Sequence, residues 1–158
     1  MQHDNKRRLF LKGSMAAGIG AIAAAAGLLS PVTVLASWPE SAFAAKSMDA
    51  ALNALLGSAS FSESTDIKIK APSIAENGAV VNVVVSTAMS GVESITILVD
   101  KNAAPLALSA DLSANVTPFV KTRIKIGKTS EVMGVVKANG KLHSAKKVVK
   151  VTVGGCGG

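Results

Sequence analysis

The stretch EVMGVVKANGKLHSAKKVVKVTV, residues 131–153, decides the fold. At its centre stands Asn139-Gly140. This dipeptide is the strongest short-range hairpin signal, because both central residues of a tight hairpin turn need positive φ. Glu131 to Ala138 forms one arm and Lys141 to Val153 the other, with Val149, Val151 and Val153 sharing one face of the second arm. Two-residue periodicity on both sides of such a turn specifies antiparallel strands.

Upstream, the same period recurs. Ile67, Ile69 and Ala71 alternate with Lys68 and Lys70 until Pro72 stops the run. Glu76-Asn77-Gly78 reads as a turn. Val80 to Ser86 is nearly continuous valine, which suits a strand covered on both faces or at a sandwich centre. Ile95, Ile97 and Val99 alternate next, and Asp100-Lys101-Asn102 turns the chain. Leu106 and Leu108 mark a short strand. Phe119 to Ile126 alternates again, with Thr122, Ile124 and Ile126 opposite Lys121, Arg123 and Lys125. Seven short strands at regular spacing predict an all-β fold, an immunoglobulin-like antiparallel β-sandwich, lacking the Cys-Trp-Cys pattern of antibody domains. One short helix precedes it. Met48, Ala51, Leu52 and Leu55 keep helical spacing, Ser47 can cap the start and Gly57 can end it.

The N-terminal part reads as a targeting segment. Lys6-Arg7-Arg8-Leu9-Phe10-Leu11-Lys12 is basic, and no charged residue lies between Gly13 and Pro39. Val34-Leu35-Ala36 and Ala42-Phe43-Ala44 are two small-x-small cleavage patterns. The twin arginines Arg7 and Arg8, followed by Leu9 and Phe10-Leu11-Lys12, resemble the Tat signal pattern, with Lys6 where Ser or Thr is usual. The competing readings are a Sec signal and a transmembrane anchor. Against an anchor, the run is rich in Ala and Gly and broken by Pro31. The expected organisation is therefore a Tat signal over 1–44, a β-sandwich over 45–153 and an arm over 154–158. Removing residues 1–44 takes four of the 17 basic and two of the 10 acidic residues, leaving a net charge of +5. Tat export carries folded proteins, and with no cofactor motif in view a co-folded partner is the natural passenger. The expected destination is the periplasm, with no membrane attachment after cleavage.

A self-contained catalytic site finds little support. His3 leaves with the signal, and His143, alone beside the hairpin turn, reads as a solvated side chain. There is no zinc spacing of Cys and His, no paired carboxylates and no phosphate-cradling glycine loop, so no cofactor or metal is expected. Phe61 and Phe119 are the only aromatics beyond residue 44, too few for stacking on nucleic acid. Scattered lysines suit sheet edges that must resist aggregation.

What remains is Cys156, the chain's one cysteine, framed by Gly154, Gly155, Gly157 and Gly158. An unpaired cysteine in an exported protein signals intermolecular pairing or a reactive thiol. At about 3.3–3.6 Å per extended residue, three positions beyond Val153 carry the sulfur roughly 10 Å off the sheet. Glycines make that arm thin and conformationally permissive. The nearest cation in sequence is Lys150, and the terminal carboxylate of Gly158 opposes thiolate formation. The thiol therefore waits for a partner's environment to activate it.

A glycine-framed cysteine ending an exported β domain with a twin-arginine signal resembles the SoxY family of the bacterial Sox system. The resemblance implies a periplasmic carrier of sulfur compounds, not an enzyme. Cys156 would be the covalent attachment point and the four glycines the swinging arm. It also implies a SoxZ-like subunit forming a heterodimer, a SoxXA-like cytochrome that joins thiosulfate to the cysteine, a SoxB-like hydrolase that releases sulfate and, in some hosts, a sulfur dehydrogenase. Two other readings stand beside it. One is a structural or adhesive domain dimerising through a Cys156 disulfide. The other is a ubiquitin-like carrier using Gly157-Gly158 as a thiocarboxylate, which would need ATP where a signal sends the chain away from it.

Overall fold

The computed structural model describes residues 39–152. Arg7 and Arg8, Val153, the four arm glycines and Cys156 lie outside them. The elements run α1 (Glu40–Ala44), α2 (Met48–Leu56), β1 (Ser62–Glu63), β2 (Ile67–Lys70), β3 (Ile74–Ala75), β4 (Val81–Thr87), β5 (Val92–Val99), β6 (Leu106–Asp111), β7 (Phe119–Ile124), β8 (Ser130–Ala138) and β9 (Lys141–Val151).

The hairpin forms as expected. Asn139 and Gly140 take φ of 49° and 72°, and β8 and β9 pair antiparallel from Ala138–Lys141 to Ser130–Val149. Around this hairpin grows a sheet in the order β1-β9-β8-β5-β6, with β3 also pairing β9. A second sheet, β2-β4-β7, is antiparallel throughout. Two strands escape sequence reading. β1 and β3 are only two residues long and run parallel to β9. Two residues show no periodicity, so nonlocal pairing alone reveals them. The strand count is thus nine among the described residues, against seven expected.

The two sheets enclose one apolar layer of alternate residues: Val81, Val83 and Val85 from β4 meet Ile95, Ile97 and Val99 from β5, with Val132, Val136 and Val149 behind them. Each such burial stabilises by about 1.5–3 kcal/mol. Gly134 on β8 lets the sheets approach, for a Cβ there would sit 3.2 Å from Val85 Cγ1. The valine run is not covered on both faces. Asn82 is exposed and Val84 and Ser86 half-buried, so β4 is a sandwich-centre strand with a solvent side. Its neighbours β2 and β7 are the edges of that sheet. They hold Lys68 and the exposed Lys70, Lys121 and Arg123 outward, as charged edges should.

The strands buried on both faces are β5 and β8. Leu98 and Thr96 point away from the sandwich interior yet are fully buried. The cover is the helix pair: Ala42 of α1 and Ala51 and Leu52 of α2 pack with Leu98, Leu106, Met133 and Val135 in a second apolar cluster. α2 forms because Ser47 Oγ accepts the Ala50 N–H at 3.2 Å and because Gly57 ends it at φ 72°. α1 lies inside the segment assigned to the signal, and its Ala42 is fully buried.

Candidate functional site

β9 is the strand that leads to Cys156, and its last turns are tied down from both sides. Lys150 N–H donates to Ser73 O at 2.9 Å and Thr152 N–H to Ala75 O at 3.2 Å, which is the β3 pairing. On the other side Val151 N–H donates to Thr129 Oγ1 at 3.0 Å. Gly78 closes the floor: its carbonyl accepts the Ile126 N–H at 2.7 Å, and a Cβ on it would stand 2.9 Å from Val151 Cγ1. Asn77 Oδ1 shapes this turn by accepting the Ala79 N–H at 2.9 Å. Cys156 lies four positions beyond the anchored Thr152.

Sheet register shows what shares that end of the molecule. Ser130 opposite Val149, Val132 opposite Val99 and Leu98 opposite Leu106 place the start of β8, the end of β5 and the start of β6 beside the end of β9. The β5–β6 turn is fastened to the β7–β8 loop by Asn102. Its Nδ2 donates to Lys125 O at 2.7 Å, and its Oδ1 accepts the Gly127 N–H at 3.0 Å. Asp100 Oδ1 accepts the Glu131 N–H at 2.9 Å. The sequence marked 100–102 as a turn, and the structure adds that this turn clamps one sheet to the other.

The opposite end holds the one clear pKa shift among the described residues. Glu93 on β5 receives Lys137 Nζ at 2.7 Å and the Gly140 N–H at 2.7 Å. The Lys137 hydrogen bond, then that of Gly140, holds its carboxyl below its ordinary 4.5. It braces the hairpin turn against β5. His143 is not simply solvated: it is half-buried, with Nδ1 3.1 Å from Ser62 Oγ of β1. Ser144 Oγ is buried with no hydrogen-bond partner. Among the described residues no group of three or more His, Cys, Asp or Glu could hold a metal ion. No helix among them is long and apolar enough to cross a membrane.

The class is therefore a two-sheet β-sandwich, capped on one face by helices, whose last strand is anchored on both sides and leads to a lone terminal thiol. The profile of the sulfur oxidation protein SoxY matches residues 52–156. The chain belongs to the SoxY family. Among solved structures, the sulfur carrier protein SoxY from Chlorobium limicola f thiosulfatophilum is 44% identical, with a TM-score of 0.61, covering 66% of this chain and 96% of that one. A superoxide reductase (neelaredoxin) from Ignicoccus hospitalis has a TM-score of 0.50 at 18% identity, over 54% of this chain and 80% of that one. At that identity the likeness is of fold alone. Comparison with curated proteins gives no match.

Proposed function

We propose that this protein is a periplasmic carrier that holds thiosulfate-derived sulfur on Cys156 and presents it to the other proteins of a Sox system. The observation that carries this reading is the family match, which runs through the sandwich and reaches Cys156 itself. The 44% identity to a sulfur carrier protein supports it. So does the anchoring of β9, which gives the thiol a firm base four residues away.

The chemistry belongs to the partners. A SoxXA-like haem cytochrome removes two electrons and one proton as the Cys156 thiol and the outer sulfur of thiosulfate form an S–S bond. The product is Cys-S-S-SO3−. A SoxB-like hydrolase adds water to the terminal sulfur, releasing sulfate and two protons and leaving a Cys156 persulfide anion. A sulfur dehydrogenase, in hosts that have one, oxidises that sulfur further, and a second hydrolysis restores the thiol. Gly154, Gly155, Gly157 and Gly158 form an arm narrow enough to enter each partner's cleft. A SoxZ-like subunit completes a heterodimer, and Arg7 and Arg8 direct both through the Tat pathway as a folded pair. We assign the sandwich to the immunoglobulin-like type. The burial of Ala42 in α1 favours processing at Val34-Leu35-Ala36, the earlier of the two patterns, because a peptidase needs an exposed, extended substrate.

The test is an intact mass of the periplasmic protein, purified without reductant from cells fed thiosulfate. Reductant-labile additions of one sulfur atom or one thiosulfate on the C-terminal peptide are expected, and Cys156→Ser should abolish them while leaving the fold intact. A doubled mass that collapses on reduction would instead identify a disulfide-linked dimer. Unchanged thiosulfate turnover in Cys156→Ser would refute the carrier reading.

A further inference from the structure

The end of the sandwich from which the chain runs on to Cys156 carries an unneutralised set of cations. Lys101 of the β5–β6 turn, Arg123 of β7, and Lys125 and Lys128 of the β7–β8 loop line one open cleft of about 780 Å3. It lies at the seam where β6, the edge of one sheet, faces β7, the edge of the other. All four side chains are exposed. Among the described residues none of them is ion-paired; the two salt bridges are Lys137–Glu93 and Lys146–Glu131. The cleft has no acidic lining residue, and the one carboxylate next to it in sequence, Asp100, is engaged with the Glu131 N–H. The seam is braced by the two Asn102 hydrogen bonds, so the turn and the loop that bear the cations keep a fixed separation.

The same loop that carries Lys125 and Lys128 also holds the base of the cysteine-bearing segment, through Thr129 Oγ1 and Val151 N–H. From β9 to β6 the sheet is three strand spacings wide, about 14 Å. The four steps from Thr152 to Cys156 can span no more than about 14 Å. A protein whose active site receives Cys156 therefore docks within about 14 Å of Thr152, on the end of the sandwich that also carries the cationic seam.

We propose that the Lys101–Arg123–Lys125–Lys128 cleft is an electrostatic docking surface for an acidic rim around the active-site entrances of the enzymes that load and unload Cys156. The inference rests on the carrier reading and extends it to how partners are recognised. The cleft is too wide and too exposed to select one small anion, whereas it suits several carboxylates set along a protein edge. Exposed charges of this kind act mainly on encounter. They raise the association rate, and their effect fades as salt shortens the Debye length to about 8 Å near physiological ionic strength.

The test measures the second-order rate at which the thiosulfate-oxidising cytochrome loads Cys156 of the heterodimer, from low to high salt. Lys125→Glu/Lys128→Glu should lower that rate about tenfold at low salt and flatten its salt dependence. Lys141→Glu, at the far hairpin end, should leave both unchanged. Lys125→Gln/Lys128→Gln, which avoids new repulsion, should fall between. Equal rates and equal salt dependence in the wild type and both cleft variants would overturn the proposal. A raised KM for thiosulfate with unchanged dependence on cytochrome concentration would also overturn it, by showing a small-anion site instead. Absence of any loading of the wild type would sink the carrier reading itself, and the docking surface with it.

Discussion

Replacing Gly78 by alanine tests whether the base of the cysteine-bearing strand is held by close packing. The φ of Gly78 is one that any residue can adopt, yet an added Cβ would overlap Ile126 O and lie 2.9 Å from Val151 Cγ1. The nearer atom is backbone and Ile126 is fully buried, so no rotamer change relieves the clash. The loop must retreat by roughly 1 Å to restore ordinary contact. That forfeits the 2.7 Å bond from Ile126 N–H to Gly78 O, about 0.5–1.5 kcal/mol. Overpacking strain adds about 1–3 kcal/mol. The expected loss is about 1.5–4.5 kcal/mol. Gly140→Ala is the control: φ is 72° there, but the space around its Cβ is empty. It should cost only the left-handed penalty, about 1 kcal/mol. Urea unfolding of the two variants measures the difference directly, with a Tm gap of several degrees expected alongside. If Gly78→Ala costs no more than Gly140→Ala, the close approach of the 76–79 turn to β9 is wrong.

Three further outcomes follow from the structure. The Glu93 carboxyl titrates below its ordinary value of 4.5 because the Lys137 and Gly140 bonds favour the charged form. The unfolded chain therefore binds that proton at higher pH. The brace is fully present above 4.5 and is lost as pH falls through the lowered folded value. Acid titration of Glu93→Gln should accordingly lack part of the wild-type decline, and identical profiles would show that the brace contributes nothing. Ala42→Asp places an unpaired carboxylate in the fully buried contact of α1 with the sheet and should destabilise the domain by about 3 kcal/mol or more in thermal melts. No change would mean that α1 does not pack. Mass mapping of the exported protein should find its N terminus at Ser37, whereas an N terminus at Ala45 would show that the domain functions without α1.

Much of the architecture was legible because its signals are local. Ser47 and Gly57 bound α2 through hydrogen bonds and a φ preference that involve only near neighbours. Asn139-Gly140 makes its turn for the same reason, and the alternating valines and isoleucines mark strands one by one. Cys156 was legible as the candidate site because its identity and glycine frame are properties of the chain itself, and the family match extends to it. His143 was misread since its partner, Ser62, is distant in sequence and arrives only when β1 joins β9.

By itself, then, the sequence marked most of the strands, one helix and the turns, and singled out Cys156 as the candidate for the sulfur chemistry proposed above. Tertiary structure alone decided what those pieces meet. Gly78 read as a turn residue, but the reason no side chain fits there is Ile126 and Val151. Leu98 read as the outer side of an alternating strand, but α1 and α2 cover it. Lys101 and Arg123 read as scattered lysine and arginine, but pairing of β5 with β6 and β4 with β7 brings both to one seam. The physical reason is range. Backbone propensity and side-chain alternation act over a few residues, whereas excluded volume and charge add up over whatever the fold brings close.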